Sequence, residues 1–436
     1  MSSTTAPATA TRVHRAWWVA LVILAALVAA AGFRSSTGAL IGDLEAEFGW
    51  SRATTSGAVS ANLVIYGLTA PFAAALMDRF GVRRTVALAL VLVSVGTGLT
   101  TVMTQAWQLW ALWGLAVGVG TGALALVLGS VIANRWFETQ RGLVTGIFSA
   151  ASATGQLVFL PGIAALAAGP GWRYSALVIT VAALLVIPAV LLLVAEWPGS
   201  VGLTPYGAPP TCRAQPLPLA LPHESPARTA LRVLRESARA RSFWVLMGTF
   251  WICGWSTNGL IGTHFIPAAH DHGMPGTTAA GLLALIGIFD IAGTLASGWL
   301  TDRVDPRKLL VAYYVLRGVS LLVVPSLLAP SVHPNLFFFV VFYGLDWVAT
   351  VPPTMALCRN EFGLTRSSVV FGWVFASHMV GAGVAASYAG WVRQSTGDYH
   401  GAWVTAGLLC MAAGLACFVL PAHRRPPPSP RRRYPG

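Results

Sequence analysis

The stretch Met77-Asp78-Arg79-Phe80-Gly81-Val82-Arg83-Arg84 (MDRFGVRR) places one acidic and three basic residues between two long apolar runs. A second stretch, Thr301-Asp302-Arg303-Val304-Asp305-Pro306-Arg307-Lys308 (TDRVDPRK), does the same later in the chain, so that its Asp-Arg pair follows the first by half the length of the sequence. Each stretch is too short to cross a membrane and too highly charged to be buried in one. Together they predict two tight polar turns at corresponding places in two halves of the chain.

The composition indicates a membrane protein. Of the 436 residues, 55% are hydrophobic and only 10% are charged, whereas soluble domains carry about 25% charged residues. A transmembrane helix needs about 20 mostly apolar residues, and twelve such segments can be drawn. They are roughly 17–41, 54–77, 85–103, 108–133, 142–168, 174–195, 243–268, 277–301, 308–329, 335–357, 367–391 and 402–421.

The placement of the basic residues predicts the orientation of these segments. If both termini are cytoplasmic, 23 of the 28 Lys and Arg residues lie in inner segments, three lie in outer loops and two lie inside helices. This asymmetry follows the positive-inside rule. The net charge of +13 therefore indicates contact with anionic membrane lipid and not with nucleic acid.

Five regions follow from this segmentation: a cytoplasmic tail (1–16), a six-helix bundle (17–195), a cytoplasmic linker (196–241), a second six-helix bundle (242–421) and a basic cytoplasmic tail (422–436). The linker is rich in proline and ends in the basic run ARTALRVLRESARARS, which could form a short amphipathic helix at the membrane surface.

Further repeats support two equivalent halves. The loop RWFETQRG (135–142) corresponds to RNEFGLTR (359–366) at about the same offset as the charged stretches. Three glycines of the first half recur in the second at nearly that offset. These are Gly146, Gly155 and Gly171, which match Gly372, Gly381 and Gly397. Two parallel halves predict a pseudo-two-fold axis along the membrane normal, with a cavity between the bundles.

The charged stretches resemble the loop motif of the major facilitator superfamily. The first copy reads Ala74-x-x-x-Asp78-Arg79-x-Gly81-x-Arg83-Arg84, with alanine in place of the usual first glycine. The second reads Gly298-x-x-x-Asp302-Arg303-x-Asp305-x-Arg307-Lys308, with Asp305 where glycine is expected. The resemblance implies an all-α polytopic membrane protein with twelve transmembrane helices in two pseudo-symmetric six-helix bundles.

In this family the loop makes ion pairs that steady the outward-facing state. The resemblance therefore implies a conformational latch formed by Asp78, Arg79, Gly81, Arg83, Arg84, Asp302, Arg303 and Arg307. Because the second copy has Asp305 and Pro306 where the first has Gly81 and Val82, we expect its turn to differ and its latch to be weaker.

Finer features resemble the monocarboxylate and oxalate–formate branch of the family. They are Phe48-Gly49-Trp50-Ser51-Arg52, Gly142, Gly171-Trp172-Arg173 and Thr396-Gly397-Asp398-Tyr399. In that branch a basic residue in helix one and an Asp in helix eight handle a carboxylate and a proton, which implies these roles for Arg34 and Asp290. The branch usually has an arginine one turn after the helix-eight Asp, and this chain has Thr294 there.

Ionisable residues inside membrane helices are functional candidates, because burying a charge at mid-membrane costs several kcal/mol. Arg34 could capture a carboxylate through its fork of donors, or extend to the outer headgroups. Asp290 could couple transport to a proton, or form a permanent ion pair, with Arg34 as one partner. Asp346 could bind a proton or the substrate, or bond to Arg317. The Pro352-Pro353 pair that follows Asp346 should break or bend helix ten.

Four further polar residues could contact substrate or join helices by hydrogen bonds. They are Gln156, Asn258, His264 and His378. The sequence has no nucleotide-binding or catalytic motif and no metal-type spacing of its five cysteines, so we expect no enzyme activity, no cofactor and no metal.

These observations predict a secondary active transporter that moves a small organic anion, a monocarboxylate or a related carboxylate, by alternating access. We expect coupling to protons or exchange, and a monomer in a cell membrane, with a bacterial inner membrane as the setting. The alternative is an efflux pump of the same fold for drugs or other amphipathic compounds. A receptor or a membrane enzyme is the third reading, which the absence of a catalytic constellation and of a soluble domain disfavours.

Overall fold

The computed structural model describes residues 13–209 and 224–422. Within these ranges the side chains of residues 34–39, 41–42, 52–53, 152, 156, 160–161, 164 and 167–168 are not described. The described chain divides into two compact units, Met1–Leu231 and Arg232–Gly436. Most of the two predicted tails and the middle of the predicted linker lie outside the described residues.

The first unit contains six long helices joined by short turns. Gly49, with φ 65°, ends the first helix. The second helix is capped by the Ser51 hydroxyl, which accepts a hydrogen bond from the Thr54 amide. These are the residue types that terminate and cap helices. The helices are α1 (Arg15–Phe48), α2 (Arg52–Phe80), α3 (Val82–Thr100), α4 (Ala106–Trp136), α5 (Arg141–Ala168) and α6 (Trp172–Leu193). Within α4 the segment Trp110–Val117 is π-helical, and a turn at residues 124–125 separates Gly118–Ala123 from Leu126–Trp136.

The second unit repeats this order after a linker helix, Pro226–Ser237. Its seventh helix, α7, consists of three consecutive segments, Arg241–Gly254, the π-helical Trp255–Ile261 and Gly262–Asp271. Helices α8 (Gly276–Thr301) and α9 (Pro306–Val323) follow. Helix α10 begins as Pro334–Asp346 and continues, after an interruption, in the first part of the stretch Val351–Thr396. The non-helical Gly363 divides that stretch, and the part beyond Gly363 is α11. Helix α12 is His400–Ala416.

Ten stretches of the described chain are long and apolar enough to cross a membrane. One of them, Pro334–Thr396, contains two predicted segments, the tenth and the eleventh. The predicted seventh segment is helical too, but the π-helical turn divides α7 into pieces of at most 14 residues. The predicted all-α polytopic architecture is confirmed.

The same pairs of helices pack against each other in both units. In the first unit α1 contacts α5, α2 contacts α4 and α3 contacts α6, and α7–α11, α8–α10 and α9–α12 are the matching pairs in the second. Small residues allow this close approach. A Cβ atom on Gly155 would lie 2.9 Å from the Val28 carbonyl oxygen, and one on the repeat-related Gly381 would lie still closer to that of Trp251.

Glycines of α4 also allow its neighbours to approach closely. A Cβ atom would lie 2.8 Å from the Ala89 carbonyl oxygen at Gly120, and 2.7 Å from the Tyr66 carbonyl oxygen at Gly122. Any larger residue would force α4 away from its neighbours. These glycines therefore serve helix packing.

Bidentate ion pairs tie helix ends together within each unit. Arg173 donates to both carboxylate oxygens of Glu47 at 2.8 and 2.5 Å, and Arg393 donates to those of Asp271 at 2.6 and 3.0 Å. The two acids occupy equivalent positions of the repeat, but their arginines do not. The hydrogen bonds from the two arginines hold the pKa values of the Glu47 and Asp271 carboxyls below their ordinary values.

The linker helix presents two different faces. Ala230 and Val233 are buried, whereas Arg228, Leu231 and Arg235 are exposed on the opposite side. The predicted amphipathic helix is therefore present, and its location at the membrane surface stays a prediction.

Candidate functional site

Helix α10 is interrupted in the middle of its apolar run. Its first part ends at Asp346, residues 347–350 form a turn, and the helix resumes at Val351. Pro352 and Pro353 follow at once, and they cannot donate to the carbonyl groups four residues earlier. The predicted break at the tandem prolines is confirmed, and it leaves backbone groups that need partners from elsewhere.

Helix α8 supplies two of these partners. One carboxylate oxygen of Asp290 accepts the Val348 amide at 3.0 Å and the hydroxyl of Thr294 at 2.8 Å. The Ser297 hydroxyl donates to the Ala349 carbonyl at 2.5 Å. Asp290 is 3% exposed, so its carboxyl group is bound to the backbone of α10 in the interior of the unit.

Helix α9 supplies the third partner, Arg317, which is fully buried. Its Nε donates to a carboxylate oxygen of Asp346 at 2.6 Å, and its Nη2 donates to the carbonyls of Asp346 and Trp347. Its Nη1 donates to the Cys253 sulfur at 3.2 Å and to the Ser256 hydroxyl at 3.5 Å. The ion pair given above as the alternative role of Asp346 is thus present.

Arg317 has no hydrogen-bond donor left for a substrate. A guanidinium group carries five N–H donors, and the structure gives Arg317 five acceptors. Arg317 therefore does not take over the anion-binding role of the helix-eight arginine that is usual in the monocarboxylate and oxalate–formate branch. The predicted anion-binding role of Arg34, the other membrane arginine of this sequence, stays a prediction.

The cluster contains two carboxyl groups and one guanidinium. Asp346 uses one oxygen for Arg317, while its second oxygen, Oδ1, is buried without a hydrogen-bond partner among the described residues. Asp290 is bonded to an amide and a hydroxyl but makes no ion pair that the structure shows among its described neighbours. One positive charge cannot neutralise two carboxylates, and unpaired buried charge is costly, so the cluster can hold a proton.

This charged cluster belongs to the second unit only. The repeat places Tyr66, Val93 and Gly122 at the positions of the first half that correspond to its three charged members. The helix packing is repeated in both units, but the polar chemistry is not.

The remaining candidate side chains of the second unit lie at different places. The ring of His378 is buried between Phe250 and Phe375, at centroid distances of 4.9 and 5.9 Å, and its Nδ1 has no hydrogen-bond partner in the described chain. Both ring nitrogens of His264 are engaged, Nε2 with the Ala386 carbonyl at 2.8 Å and Nδ1 with the Tyr399 hydroxyl at 3.3 Å.

Asn258 lies in the π-helical segment of α7 and is exposed. Arg34 lies in α1 and Gln156 in α5, but both side chains fall outside the described residues. Their roles, like those of the two histidines, stay predictions.

The first predicted latch is built around a residue that the sequence analysis missed, Glu196. Its carboxylate accepts the backbone amides of Val82 at 2.5 Å and of Arg83 at 3.2 Å, and so caps the start of α3. Gly81 makes room for it, since a Cβ there would lie 2.5–2.7 Å from the Glu196 carboxyl atoms. The only available signal was that Glu196 is the first charged residue after the apolar run of helix six.

The charged side chains of this turn contact neighbouring segments. Asp78 pairs with Arg135 of α4 at 3.5 Å. Arg79 donates to the Glu224 carbonyl, Arg83 donates to the Leu191 carbonyl at 3.5 Å, and Arg84 is exposed. These contacts join segments that are far apart in sequence, and their role as a latch stays a prediction.

The turn at the second predicted latch differs from the first, as expected. Asp305 accepts the Arg307 amide at 2.9 Å and thereby caps α9 itself, with Pro306 at the first helical position. Arg307 also donates to the Leu420 carbonyl at 3.3 Å. Leu420 occupies the position of the second half that corresponds to Glu196 in the first, so a local cap replaces the carboxylate that a distant residue supplies in the first unit.

The other two latch residues of this copy lie at the end of α8. Asp302 ends the helix, and the Arg303 guanidinium lies 4.0 Å from the centroid of the Trp299 ring. A weaker latch in the second unit stays a prediction.

Comparison with known proteins identifies the family. The family model of the Major Facilitator Superfamily matches residues 22–363 and 261–435. The chain belongs to the major facilitator superfamily. Known members of this superfamily that it resembles are membrane transporters and not enzymes, and the chain is accordingly a multi-pass membrane transporter of small molecules.

Several relatives cover most of this superfamily member. The MFS-type transporter YcxA of Bacillus subtilis is 26% identical over 86% of this chain and 87% of its own length. Human monocarboxylate transporter 11 is 27% identical over 93% of this chain and 83% of its own. Bovine monocarboxylate transporter 13 is 25% identical over 93% of this chain and 89% of its own length.

Solved structures of the superfamily have the same fold. The human organic anion transporter MFSD10 aligns with a TM-score of 0.70 at 16% identity, over 92% of this chain and 99% of its own. The Escherichia coli fucose:proton symporter FucP aligns with a TM-score of 0.67 at 16% identity, over 93% of this chain and 100% of its own. At these identities the likeness concerns the fold.

Proposed function

We propose that this transporter moves a small organic anion, a monocarboxylate or a related carboxylate, across the membrane by alternating access. Transport is coupled to protons or proceeds by exchange of one anion for another. The protein works as a monomer in a cell membrane, with a bacterial inner membrane as its setting and both termini in the cytoplasm.

The observation that carries this proposal is the buried cluster in the second unit. Among the described contacts Arg317 pairs with Asp346 and not with Asp290, and one oxygen of Asp346 has no hydrogen-bond partner among the described residues. Since a charged carboxylate without a cation is costly in an apolar interior, taking up a proton relieves the cluster. Groups of this kind in membrane helices form proton relays in pumps and transporters.

The anionic substrate is supported by two further points. The relatives named above include monocarboxylate transporters, at 25–27% identity over most of the chain. Arg34 is a membrane arginine in helix one, and its guanidinium suits bidentate binding of a carboxylate. We assign this role to Arg34 and not to Arg317, because all five donors of Arg317 bond the backbone and side chains around it.

The test uses purified protein in proteoliposomes with labelled pyruvate, lactate, formate and oxalate, with and without an imposed pH gradient. We expect at least one of these anions to enter the vesicles. If transport is proton-coupled, the pH gradient accelerates this uptake; if it is exchange, unlabelled anion inside the vesicles drives uptake without a gradient. Asp290→Asn should abolish the response to the gradient, and Arg34→Gln should raise KM. Asp398→Asn is the matched control, because Asp398 is exposed at the start of α12.

Transport that ignores the gradient and survives Asp290→Asn unchanged would remove the proton coupling. Transport of none of the four anions would remove the proposed substrate class.

An efflux pump for bulky amphipathic compounds is the second candidate, and a row of aromatic rings favours it. Trp251, Trp255, Tyr388 and Trp391 follow one another on α7 and α11, with centroid distances of 5.0, 5.3 and 6.1 Å. Flat apolar compounds stack on such rings. Export of amphipathic dyes from proteoliposomes that is insensitive to Arg34→Gln would favour this candidate over the first.

A further inference from the structure

The interruption of α10 leaves more backbone groups to satisfy than the helix itself can serve. The turn at 347–350 is followed by two prolines, which lack amide hydrogens. In the described structure, the carbonyls of Asp346, Trp347 and Ala349 and the amide of Val348 all bond to side chains. These side chains come from α8 and α9, so the neighbouring helices determine the geometry of the break.

Arg317 contributes most to this arrangement. Its Nη2 bonds two successive carbonyls of the break, and its Nε bonds the side chain of Asp346 at 2.6 Å. The guanidinium is planar and rigid, so the bond to the Asp346 carboxylate orients the fork that reaches the carbonyls. An ammonium group at this place could not reach all of these acceptors from one nitrogen atom.

The other side of the guanidinium is fixed to α7. Its Nη1 bonds the Cys253 sulfur and the Ser256 hydroxyl, and Cys253 lies 3.3 Å from the Thr350 hydroxyl at the far end of the break. Arg317 therefore joins α7, α9 and α10 in one network. Every donor that it has is used to hold backbone and side chains of the unit.

We infer that Arg317, clamped by Asp346, is a positioning residue that bonds the Asp346 and Trp347 carbonyls at the turn and fixes the angle between the two parts of α10. It acts on the transport cycle through this break and does not touch the substrate. The inference rests on the geometry of the break and holds for any substrate, so it does not depend on the proposed anion.

The decisive measurement is amide hydrogen exchange of the purified protein in detergent, followed by mass spectrometry of peptides that cover residues 345–356. Arg317→Lys keeps the charge and loses the fork, and we expect it to speed exchange in this segment by roughly tenfold or more. Arg393→Lys is the matched control, because it makes the same chemical change in an ion pair outside the break. It should leave the segment at the wild-type rate.

A second variant guards against a failure of Arg317→Lys to fold. Ser297→Ala removes one donor to the Ala349 carbonyl without changing any charge, and we expect faster exchange confined to the same segment. Wild-type exchange rates at 345–356 in the folded variants would overturn the inference.

Transport kinetics separate positioning from substrate binding. With any labelled anion that the wild type carries in proteoliposomes, Arg317→Lys should lower the maximal rate several-fold and leave KM within about twofold. A large rise in KM at an unchanged maximal rate would show that Arg317 binds the substrate and would refute the inference. If the wild type carries none of the anions, the proposed substrate class fails while the exchange measurement still decides the role of Arg317.

Discussion

The turn between α2 and α3 provides a quantitative test of the structure through Gly81→Ala. Gly81 has φ 93° and ψ 154°, a backbone region that is essentially restricted to glycine and costs other residues about 1–3 kcal/mol. In addition, the new methyl group would lie 2.5–2.7 Å from the Glu196 carboxyl atoms. The carboxylate would have to move away from the two amides that it caps, at a cost of about 1–2 kcal/mol.

Together these terms predict that Gly81→Ala destabilises the protein by about 2–5 kcal/mol. The assay is thermal unfolding of the purified variants in one detergent, where we expect the apparent Tm to fall by several degrees. Asp305→Ala is the matched control from the second turn. Asp305 has φ −58°, so its replacement removes only a helix cap and should cost about 1 kcal/mol.

A double-mutant cycle with Glu196→Ala isolates the steric part of the effect. Without the carboxylate, Gly81→Ala should cost only the backbone strain, so the two substitutions should be non-additive by about 1–2 kcal/mol. If Gly81→Ala costs less than Asp305→Ala, or if the cycle is additive, the assignment of Glu196 as the cap of α3 is wrong.

Three further predictions concern the latch, the outer ion pairs and the linker helix. Asp78→Ala breaks the pair with α4 and should shift the protein toward the inward-facing state; unchanged accessibility of engineered cysteines would contradict this. Glu47→Gln and Asp271→Asn should lower the apparent Tm at pH 7. The folded-state pKa values of both carboxyls are depressed, so the stabilisation by these pairs is complete above the unfolded pKa values and is lost as pH falls below about 4. The apparent Tm values of wild type and variants should therefore converge in acid. Tm curves that stay parallel over the whole pH range would count against these pairs. A spin label at Leu231→Cys should be more accessible to oxygen than to a water-soluble nickel chelate in bilayers with anionic lipid, and the opposite order would place the exposed face of the linker helix in water.

Much of the fold could be predicted from local features of the sequence. A run of about 20 apolar residues has few alternatives to a membrane helix, because backbone groups must be satisfied internally in hydrocarbon. The two charged stretches located the turns after helices two and eight, and Pro352-Pro353 located the break of α10, since proline removes a donor wherever it stands. The seventh segment was located as well, but its π-helical turn was not foreseen.

The candidate site was predictable only in part. Asp290 and Asp346 stood out because charges are rare in apolar segments. Arg317 was named as a possible partner of Asp346, but its bonds to the backbone of the break were not foreseen. The Val348 amide that bonds Asp290 was not foreseen either, because it becomes available only once the helix is broken. Glu196 lies 114 residues from the amide of Val82 that it caps, and no local pattern links the two.

The sequence by itself determined the membrane class, the two-fold repeat, the turns and the site of the helix break, because each depends on the local balance between apolar burial and backbone hydrogen bonding. Only the tertiary structure decided what the charges do. In the tertiary structure Arg317 bonds the backbone of α10, and one oxygen of Asp346 has no hydrogen-bond partner in the described chain. The two related turns are capped by different carboxylates, that of the distant Glu196 and that of the local Asp305. The physical reason is that a buried polar group is stabilised by whichever partner the packing of distant helices brings within about 3 Å.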